Sequence, residues 1–197
     1  MFHFRSFNIA DWFSFYRILA FPLLLFLIAI DQRNLFSWAL LISYSTDAID
    51  GFLARKLQLT SARGSQLDSM GDQLTLAAGF IGLLVFEYAF IKEHFWIILI
   101  PFLFYFVQMF IAFKKYGKAT AFHTYLAKIS AVIQAGFILW FLFFGPVYWL
   151  FYLMIIIGII ETIEEIILIF MYDRWVDGVK GLYWALKDER RLSIDKS

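Results

Sequence analysis

Six apolar stretches divide this chain, and each is long enough to cross about 30 Å of hydrocarbon as an α-helix. They cover residues 12–30, 35–57, 66–89, 95–113, 126–145 and 147–172. The 197 residues are 62% hydrophobic and include 25 phenylalanines, which is more apolar surface than a soluble domain of this length can bury. We therefore predict an all-α integral membrane protein with six transmembrane helices in one domain, residues 1–197, of which 173–197 form a cytoplasmic tail.

Positive charge is unevenly distributed between the two sides of this predicted bundle. With the N-terminus in the cytoplasm, the outer loops carry only Arg33 and Lys92. The inner side holds most of the others, namely Arg5, Arg55, Lys56, Arg63, Lys114, Lys115, Lys118 and six cations of the tail. Lysine and arginine favour cytoplasmic loops, so the sequence predicts that both termini are cytoplasmic. The absence of cysteine excludes disulfides and thiolate chemistry.

Both ends of the chain show interfacial character. Phe2, Phe4 and Phe7 alternate with polar residues before the first span, although the start could equally be poorly ordered. Apolar residues recur at helical spacing from about 173 to 190, which predicts a second helix on the inner membrane face. Gly178 and Gly181 argue against that helix.

Four aspartates stand in the second and third apolar stretches: Asp47, Asp50, Asp68 and Asp72. Insertion scales assign roughly 2.5 to 3.5 kcal/mol to each aspartate at mid-membrane, so these side chains need a compensating partner. Residues three or four apart share a helix face, so the aspartates form two stripes on helices joined by a loop of about ten residues. Antiparallel neighbours of this kind can bring all four carboxylates together.

A pair of divalent cations balances four carboxylates in formal charge. The stripes offer oxygen donors without thiolate or imidazole, which favours Mg²⁺ or Mn²⁺. Gly51, Ala54 and Gly64 lie on the same faces and leave room for a ligand, and Arg55 supplies a cation suited to phosphate. Small residues also promote close helix packing in membranes, and acidic residues near a helix end can be merely solvated.

The segment from Asp47 to Asp72 resembles the signature of the CDP-alcohol phosphatidyltransferases. It reads D-x2-D-G-x2-A-R-x8-G-x3-D-x3-D with every position filled. Asn8-Ile9-Ala10-Asp11, followed by Ser14 and Arg17, is similar to the Asn-Ile-Pro-Asn, Thr, Arg lead-in of bacterial members, with Ala10 in place of proline.

This resemblance implies a metal-dependent transfer of a phosphatidyl group, most often from CDP-diacylglycerol, to an alcohol with release of CMP. By the same resemblance Asp47, Asp50 and Asp68 are metal ligands for two ions. Asp72 is the general base and a further metal contact. The cytidine diphosphate portion is expected to meet Gly51, Arg55 and Ser61, beside Ala54 and Gly64. We expect a homodimer in a bacterial inner membrane, with its active site facing the cytoplasm and no nucleic-acid partner.

The acceptor alcohol is left open. Basic residues cluster between the fourth and fifth spans, which suits glycerol 3-phosphate or an inositol phosphate; we place Arg17, Lys118 and Lys128 on the acceptor side. The cluster also fits a loop that only sets orientation, so serine and free inositol remain alternatives. In the sixth span lie Glu161, Glu164 and Glu165, which could line the acceptor pocket, hold helices together or support a dimer interface.

Two other classes of protein compete with the enzyme. A divalent-cation transporter also uses intramembrane carboxylates, but it more often distributes polar groups at mid-membrane over several helices. A membrane scaffold without activity gives no reason for the aspartate stripes. Release of CMP from CDP-diacylglycerol distinguishes the enzyme from both.

Overall fold

The computed structural model describes residues 9–57 and 62–187, with side chains described at 12, 15–46 and 70–187. Helices account for most of these residues, and no strand occurs among them apart from an isolated bridge between Ala121 and Asp177. The helices are α1 (Ile9–Ala29), α2 (Arg33–Leu57), α3 (Ala62–Phe86), α4 (Tyr88–Glu93), α5 (Phe95–Tyr116), α6 (Tyr125–Phe144) and α7 (Tyr148–Met171).

Each predicted apolar stretch overlaps one long helix of this series, and the prediction of an all-helical chain is confirmed over the described residues. Within the described part, α5 and α6 are long and apolar enough to cross a membrane. The apolar segments of α1 and α3 are shorter, Phe15–Ala29 and Met70–Phe86, and α7 carries three glutamates. The number of spans and the orientation of the termini therefore stay predictions.

The predicted loop between the second and third spans and the predicted helix of the tail are wrong in extent. The connection between α2 and α3 was expected to hold about ten residues, but α2 ends at Leu57 and α3 begins at Ala62. Hydropathy marks only the apolar part of a helix, and α3 starts with the polar run before that part. The tail is helical only at 182–187 among its described residues. Gly178 and Gly181 have φ of 69° and 149°, which a helix does not allow.

The contacts divide the chain into two units, and α6 contributes to both. Unit 1 comprises residues 1–91 and 138–146, and its described part is built on α1, which packs against α2 and α3. Arg33, at the start of α2, connects parts of this unit through its side chain. This side chain pairs with Glu87 at 2.5 Å and donates to the Leu142 carbonyl oxygen at 3.0 Å. The carbonyl groups at the C-terminus of α6 thereby gain a cationic hydrogen-bond donor. Its positive charge interacts favourably with the negative end of the helix dipole.

Unit 2 comprises residues 92–137 and 147–197, with α5 packed against α7. One cluster of buried apolar side chains here comes from both helices, the connection after α5 and the tail: Ala112, Phe122, Leu168, Ile169, Val179 and Ala185. The tail is tied to that connection by backbone hydrogen bonds. The Gly178 N–H donates to the Ala121 oxygen at 3.2 Å, and the Tyr125 N–H donates to the Lys180 oxygen at 3.0 Å.

Candidate active site

The aspartates occupy matching heights on α2 and α3. These helices contact one another and are joined by residues 58–61, so they run antiparallel. Asp47 lies ten residues before the end of α2 at Leu57, and Asp72 lies ten residues after the start of α3 at Ala62. Ten residues correspond to a rise of about 15 Å on either helix. Asp50 and Asp68 lie seven and six residues from the same ends, which puts them at a second common height.

The backbone thus agrees with the predicted stripes, while most of the predicted side chains lie outside the described residues. On α2 this applies to Asp47, Asp50, Gly51, Ala54 and Arg55, and on α3 to Gly64 and Asp68. Ser61 is outside the described residues altogether. The roles assigned to these residues therefore remain predictions.

Of the four aspartates, Asp72 is the one whose side chain is described, and a residue of α1 pairs with it. Arg17 Nη1 donates to Asp72 Oδ1 in an ion pair. The Arg17 side chain is 1% exposed and that of Asp72 is 50% exposed, so the cation is buried and the carboxylate half-open. A Cβ at Gly71 would lie 3.3 Å from Arg17 Cβ, Nε and Cζ. Gly71 therefore leaves the space through which the guanidinium reaches the carboxylate.

Two buried hydroxyl groups continue the stripes one turn further along each helix. Ser43 precedes Asp47 by four residues on α2, and Thr75 follows Asp72 by three on α3, so each shares a face with its aspartate. Ser43 is 0% exposed and Thr75 is 2% exposed. Among the described residues, neither Ser43 Oγ nor Thr75 Oγ1 has a hydrogen-bond partner.

The donor set at these heights suits a hard divalent cation. Four carboxylates on two facing helices offer oxygen donors, which Mg²⁺ and Mn²⁺ prefer, and the chain contains no cysteine. The described side chains by themselves contain no group of three potential ligands that could hold a metal ion, since three of the four aspartate side chains lie outside them. Asp72 adds a half-open carboxylate, and Arg17 offsets part of its charge.

Comparison with known protein families identifies the family of this chain. Residues 7–163 match the family model described as CDP-alcohol phosphatidyltransferase. This chain belongs to the CDP-alcohol phosphatidyltransferases. Their reaction is phospholipid head-group transfer from a CDP-alcohol to an alcohol acceptor within a membrane, generally with a divalent metal. The chain is thus a transferase of substituted phosphate groups in phospholipid biosynthesis. No curated protein matched it closely enough to count as a relative.

The lysines that we placed on the acceptor side of the transferase have partners in unit 2. Lys118 Nζ lies 3.4 Å from the centre of a Trp175 ring, and Lys128 Nζ lies 5.7 Å from the centre of the Tyr125 ring. Lys115 Nζ donates to the Ile169 oxygen at 2.8 Å. Cation–π contacts at exposed positions are weak, about 0.5 to 1 kcal/mol. The acceptor-side role of Lys118 and Lys128 stays a prediction.

Two of the three glutamates of α7 hold parts of unit 2 together. Glu165 Oε2 accepts hydrogen bonds from Gln108 Nε2 and Thr120 Oγ1, both at 2.7 Å. Glu164 Oε1 accepts the Leu182 N–H at 2.9 Å and so fixes the start of the last helical turn. Of the interpretations left open for these residues, contact between elements within the unit is the one that the geometry supports for Glu164 and Glu165.

The sequence had not indicated three features of this site: the pairing of Arg17 with Asp72, the space at Gly71 and the two buried hydroxyls. Arg17 was placed on the acceptor side, a role that stays a prediction, and the structure adds its pairing with the carboxylate 55 residues later. A signal for the hydroxyls was present. Ser43, Asp47 and Asp50 are spaced i, i+4 and i+7, as are Asp68, Asp72 and Thr75, and each set forms one helix stripe.

Proposed function

We propose that this transferase takes CDP-diacylglycerol as donor and moves its phosphatidyl group to a small hydroxyl acceptor. The observation that carries the proposal is the matching of heights on α2 and α3. Asp47 lies level with Asp72, and Asp50 lies nearly level with Asp68, in a chain of the family that uses CDP-alcohols. Carboxylates held at two common heights on facing helices suit a ligand that carries two linked phosphates.

Asp47, Asp50 and Asp68, with a further contact from Asp72, are the residues that would hold two Mg²⁺ or Mn²⁺ ions. When bound, such ions neutralise charge on the diphosphate and on the departing oxygen. The protein contributes by fixing the carboxylates on two rigid helices. Four carboxylates without cations would repel one another, so binding of the ions also stabilises this region of the fold.

Asp72 acts as general base in this proposal. The acceptor hydroxyl oxygen forms a bond to the β-phosphorus of the donor, and the bond from that phosphorus to the bridging oxygen breaks. CMP leaves with the bonding electron pair, and the acceptor proton passes to the Asp72 carboxylate. Arg17 orients that carboxylate through the observed ion pair. The Arg17 guanidinium can reach Asp72 because Gly71 has no side chain in its way.

The donor nucleotide lies beside the small residues of the stripes. Gly51, Ala54 and Gly64 leave space for it, Arg55 pairs with a phosphate, and Ser61 contacts the cytidine diphosphate portion. For the acceptor we propose glycerol 3-phosphate or inositol (free or phosphorylated), with Arg17, Lys118 and Lys128 on the acceptor side. Serine is the alternative acceptor.

We place the enzyme in a bacterial inner membrane as a homodimer, with α1, α2, α3, α5, α6 and α7 as six spans, both termini cytoplasmic and the active site open to the cytoplasm. The length of these helices, 20 to 25 residues, suits the hydrocarbon thickness. Large aromatic side chains on α5 are exposed in the single chain, among them Trp96, Phe106 and Phe110. Lipid or a second copy of the chain would cover such a surface.

The test is release of CMP from CDP-diacylglycerol by the purified protein in mixed micelles with Mg²⁺. Each acceptor is supplied separately, as glycerol 3-phosphate, inositol, inositol 1-phosphate or serine, and the lipid product is identified by mass spectrometry. Asp72→Asn should lower turnover by about 10²- to 10⁴-fold, the range for loss of a general base, with less effect on donor affinity than Asp47→Asn. Absence of CMP release with every acceptor, together with uptake of divalent cations into vesicles, would favour a transporter instead.

A further inference from the structure

Ser43 and Thr75 differ from the other buried hydroxyl residues of the described helices. Ser37 donates to the Arg33 oxygen at 2.9 Å, and Thr162 donates to the Gly158 oxygen at 2.8 Å. Both follow the usual pattern in which a helical hydroxyl bonds to the carbonyl four residues earlier. Ser43 Oγ and Thr75 Oγ1 make no such bond, nor any other among the described residues, although both side chains are buried. Burial of a hydroxyl without a hydrogen-bond partner is unfavourable. A bound ligand that bonds to the Ser43 and Thr75 hydroxyls would offset this cost.

The two hydroxyls lie at one common height, adjacent to the proposed base. Ser43 is fourteen residues before the end of α2, and Thr75 is thirteen residues after the start of α3. Asp72 is half-open to solvent, while Thr75, three residues later on the same face, is buried. Within one helical turn the stripe therefore changes from a half-exposed carboxylate to a buried hydroxyl. A rise of about 4.5 Å separates the two positions along the helix.

Side chains of α2 and α6 close this end of the stripes at Gly79 of α3. A Cβ at Gly79 would lie 3.2 Å from Ile138 Cγ2 and 3.3 Å from Tyr44 Oη, so these side chains fill the space beside the glycine. Packing of this kind four residues beyond Thr75 favours a small group over a long chain as the ligand. Neutral hydroxyls suit another hydroxyl, since each can both donate and accept a hydrogen bond. They do not offset the desolvation of an ammonium or carboxylate group.

We propose that Ser43 and Thr75 bind a hydroxyl of the acceptor alcohol other than the one that attacks phosphorus. This inference rests on the proposed function, because it takes Asp72 as the position of the attacking hydroxyl. It names the acceptor class: an alcohol with at least two hydroxyl groups a few ångströms apart. Glycerol 3-phosphate and inositol belong to that class. Serine, which has a single hydroxyl beside an ammonium and a carboxylate, does not.

The test compares hydroxyl-deleting variants with matched controls on two acceptors. Thr75→Val and Ser43→Ala remove the hydroxyls under study, and Thr162→Val and Ser37→Ala remove bonded hydroxyls of similar burial. Thr75→Ser keeps the hydroxyl and should restore wild-type behaviour. For a glycerol-phosphate-using enzyme the second acceptor is 3-hydroxypropyl phosphate, which keeps the phosphate and one terminal hydroxyl but lacks the secondary hydroxyl. For an inositol-using enzyme it is a panel of deoxy-inositols.

We expect Thr75→Val and Ser43→Ala to raise the KM of the full acceptor about three- to tenfold, as loss of one neutral hydrogen bond does. The KM for CDP-diacylglycerol should not change, and the controls should leave both constants unchanged. With the deoxy acceptor the two variants should match the wild type, because the hydroxyl that they would contact is gone.

Three results would overturn the inference. An equal loss with the full and the deoxy acceptor would mean that the hydroxyls hold water or support the fold. An unchanged KM with a higher melting temperature in Thr75→Val would mean that the hydroxyl is buried without any ligand. A wild-type preference for serine over every polyol would refute the acceptor class while leaving the transferase itself intact. Failure of the proposed function looks different, because CMP release by the wild type would then be absent with every acceptor.

Discussion

The ion pair between Arg17 and Asp72 predicts an asymmetric response to mutation. Arg17 is almost fully buried, whereas half of the Asp72 side chain is exposed. Asp72→Ala therefore leaves a guanidinium in the interior without the carboxylate that pairs with it. Breaking a fully buried pair costs about 3 to 5 kcal/mol, and the exposure of Asp72 reduces this to about 2 to 3 kcal/mol through solvent screening.

Arg17→Met should cost less, about 1 kcal/mol, because water can solvate the remaining carboxylate and methionine keeps the aliphatic packing beside Gly71. The double variant Arg17→Met with Asp72→Ala should be more stable than Asp72→Ala alone, since the buried guanidinium that has lost this carboxylate is then absent. Reversible unfolding in mixed micelles with increasing SDS, followed by tryptophan fluorescence, measures all three differences. Activity is not needed for this comparison, so it is independent of the assignment of Asp72 as base.

The pair of Arg33 and Glu87 serves as a control with the opposite exposure. Here the arginine is 39% exposed and the carboxylate is 18% exposed, and Arg33 also donates to the Leu142 oxygen. Arg33→Met should therefore destabilise the protein more than Glu87→Ala. The reasoning fails if Arg17→Met costs as much as Asp72→Ala. It also fails if the double variant at Arg17 and Asp72 is additive within about 0.3 to 0.5 kcal/mol, the value for independent sites.

Three further predictions concern the metal, the donor space and the tail. Chelation should abolish CMP release and Mg²⁺ or Mn²⁺ should restore it; full activity in metal-free buffer would contradict the metal assignment. Gly51→Leu and Ala54→Leu should each weaken CDP-diacylglycerol binding more than they lower the melting temperature, and normal donor binding in both would show that the nucleotide lies elsewhere. Glu164→Ala should speed hydrogen exchange at the Leu182 amide, measured by mass spectrometry, because its acceptor is lost. Unaltered exchange there would mean that the tail is held by its other bonds.

Hydropathy predicted the long helices because each apolar run must satisfy its backbone groups internally in lipid. It did not predict where the helices end. The α3 helix begins at Ala62, in a run that contains Arg63 and Gln66, since helix formation does not require apolar residues. The α5 helix extends past the predicted boundary to Tyr116, where Gly117 with φ of 71° ends it in a left-handed conformation.

The positions of the candidate site residues were predictable to the extent that they lie within one helical hairpin. Spacing along α2 and α3 indicates which aspartates share a face, because that periodicity is a property of the helix itself. The contribution of α1 could not be obtained this way. Which of its side chains faces Asp72 depends on how α1 rotates about its own axis against α3. Gly71 was the clue available in the sequence, because a glycine beside a charged residue in a helix indicates that something approaches closely.

The polar groups of this apolar chain fall into two kinds, and the geometry distinguishes them. Glu165 has its hydrogen bonds from Gln108 and Thr120 within unit 2, so its presence in an apolar helix is explained without a ligand. Ser43 and Thr75 are smaller and uncharged, yet both hydroxyls are buried without a hydrogen-bond partner among the described residues. Glu164 Oε2 also lacks a partner there, but Glu164 Oε1 already accepts the Leu182 N–H, so this carboxylate has a structural role. Ser43 and Thr75 have no hydrogen bond within the described part of the chain that explains their burial, and we therefore look for the proposed acceptor first at the buried end of the aspartate stripes rather than at the glutamates of α7.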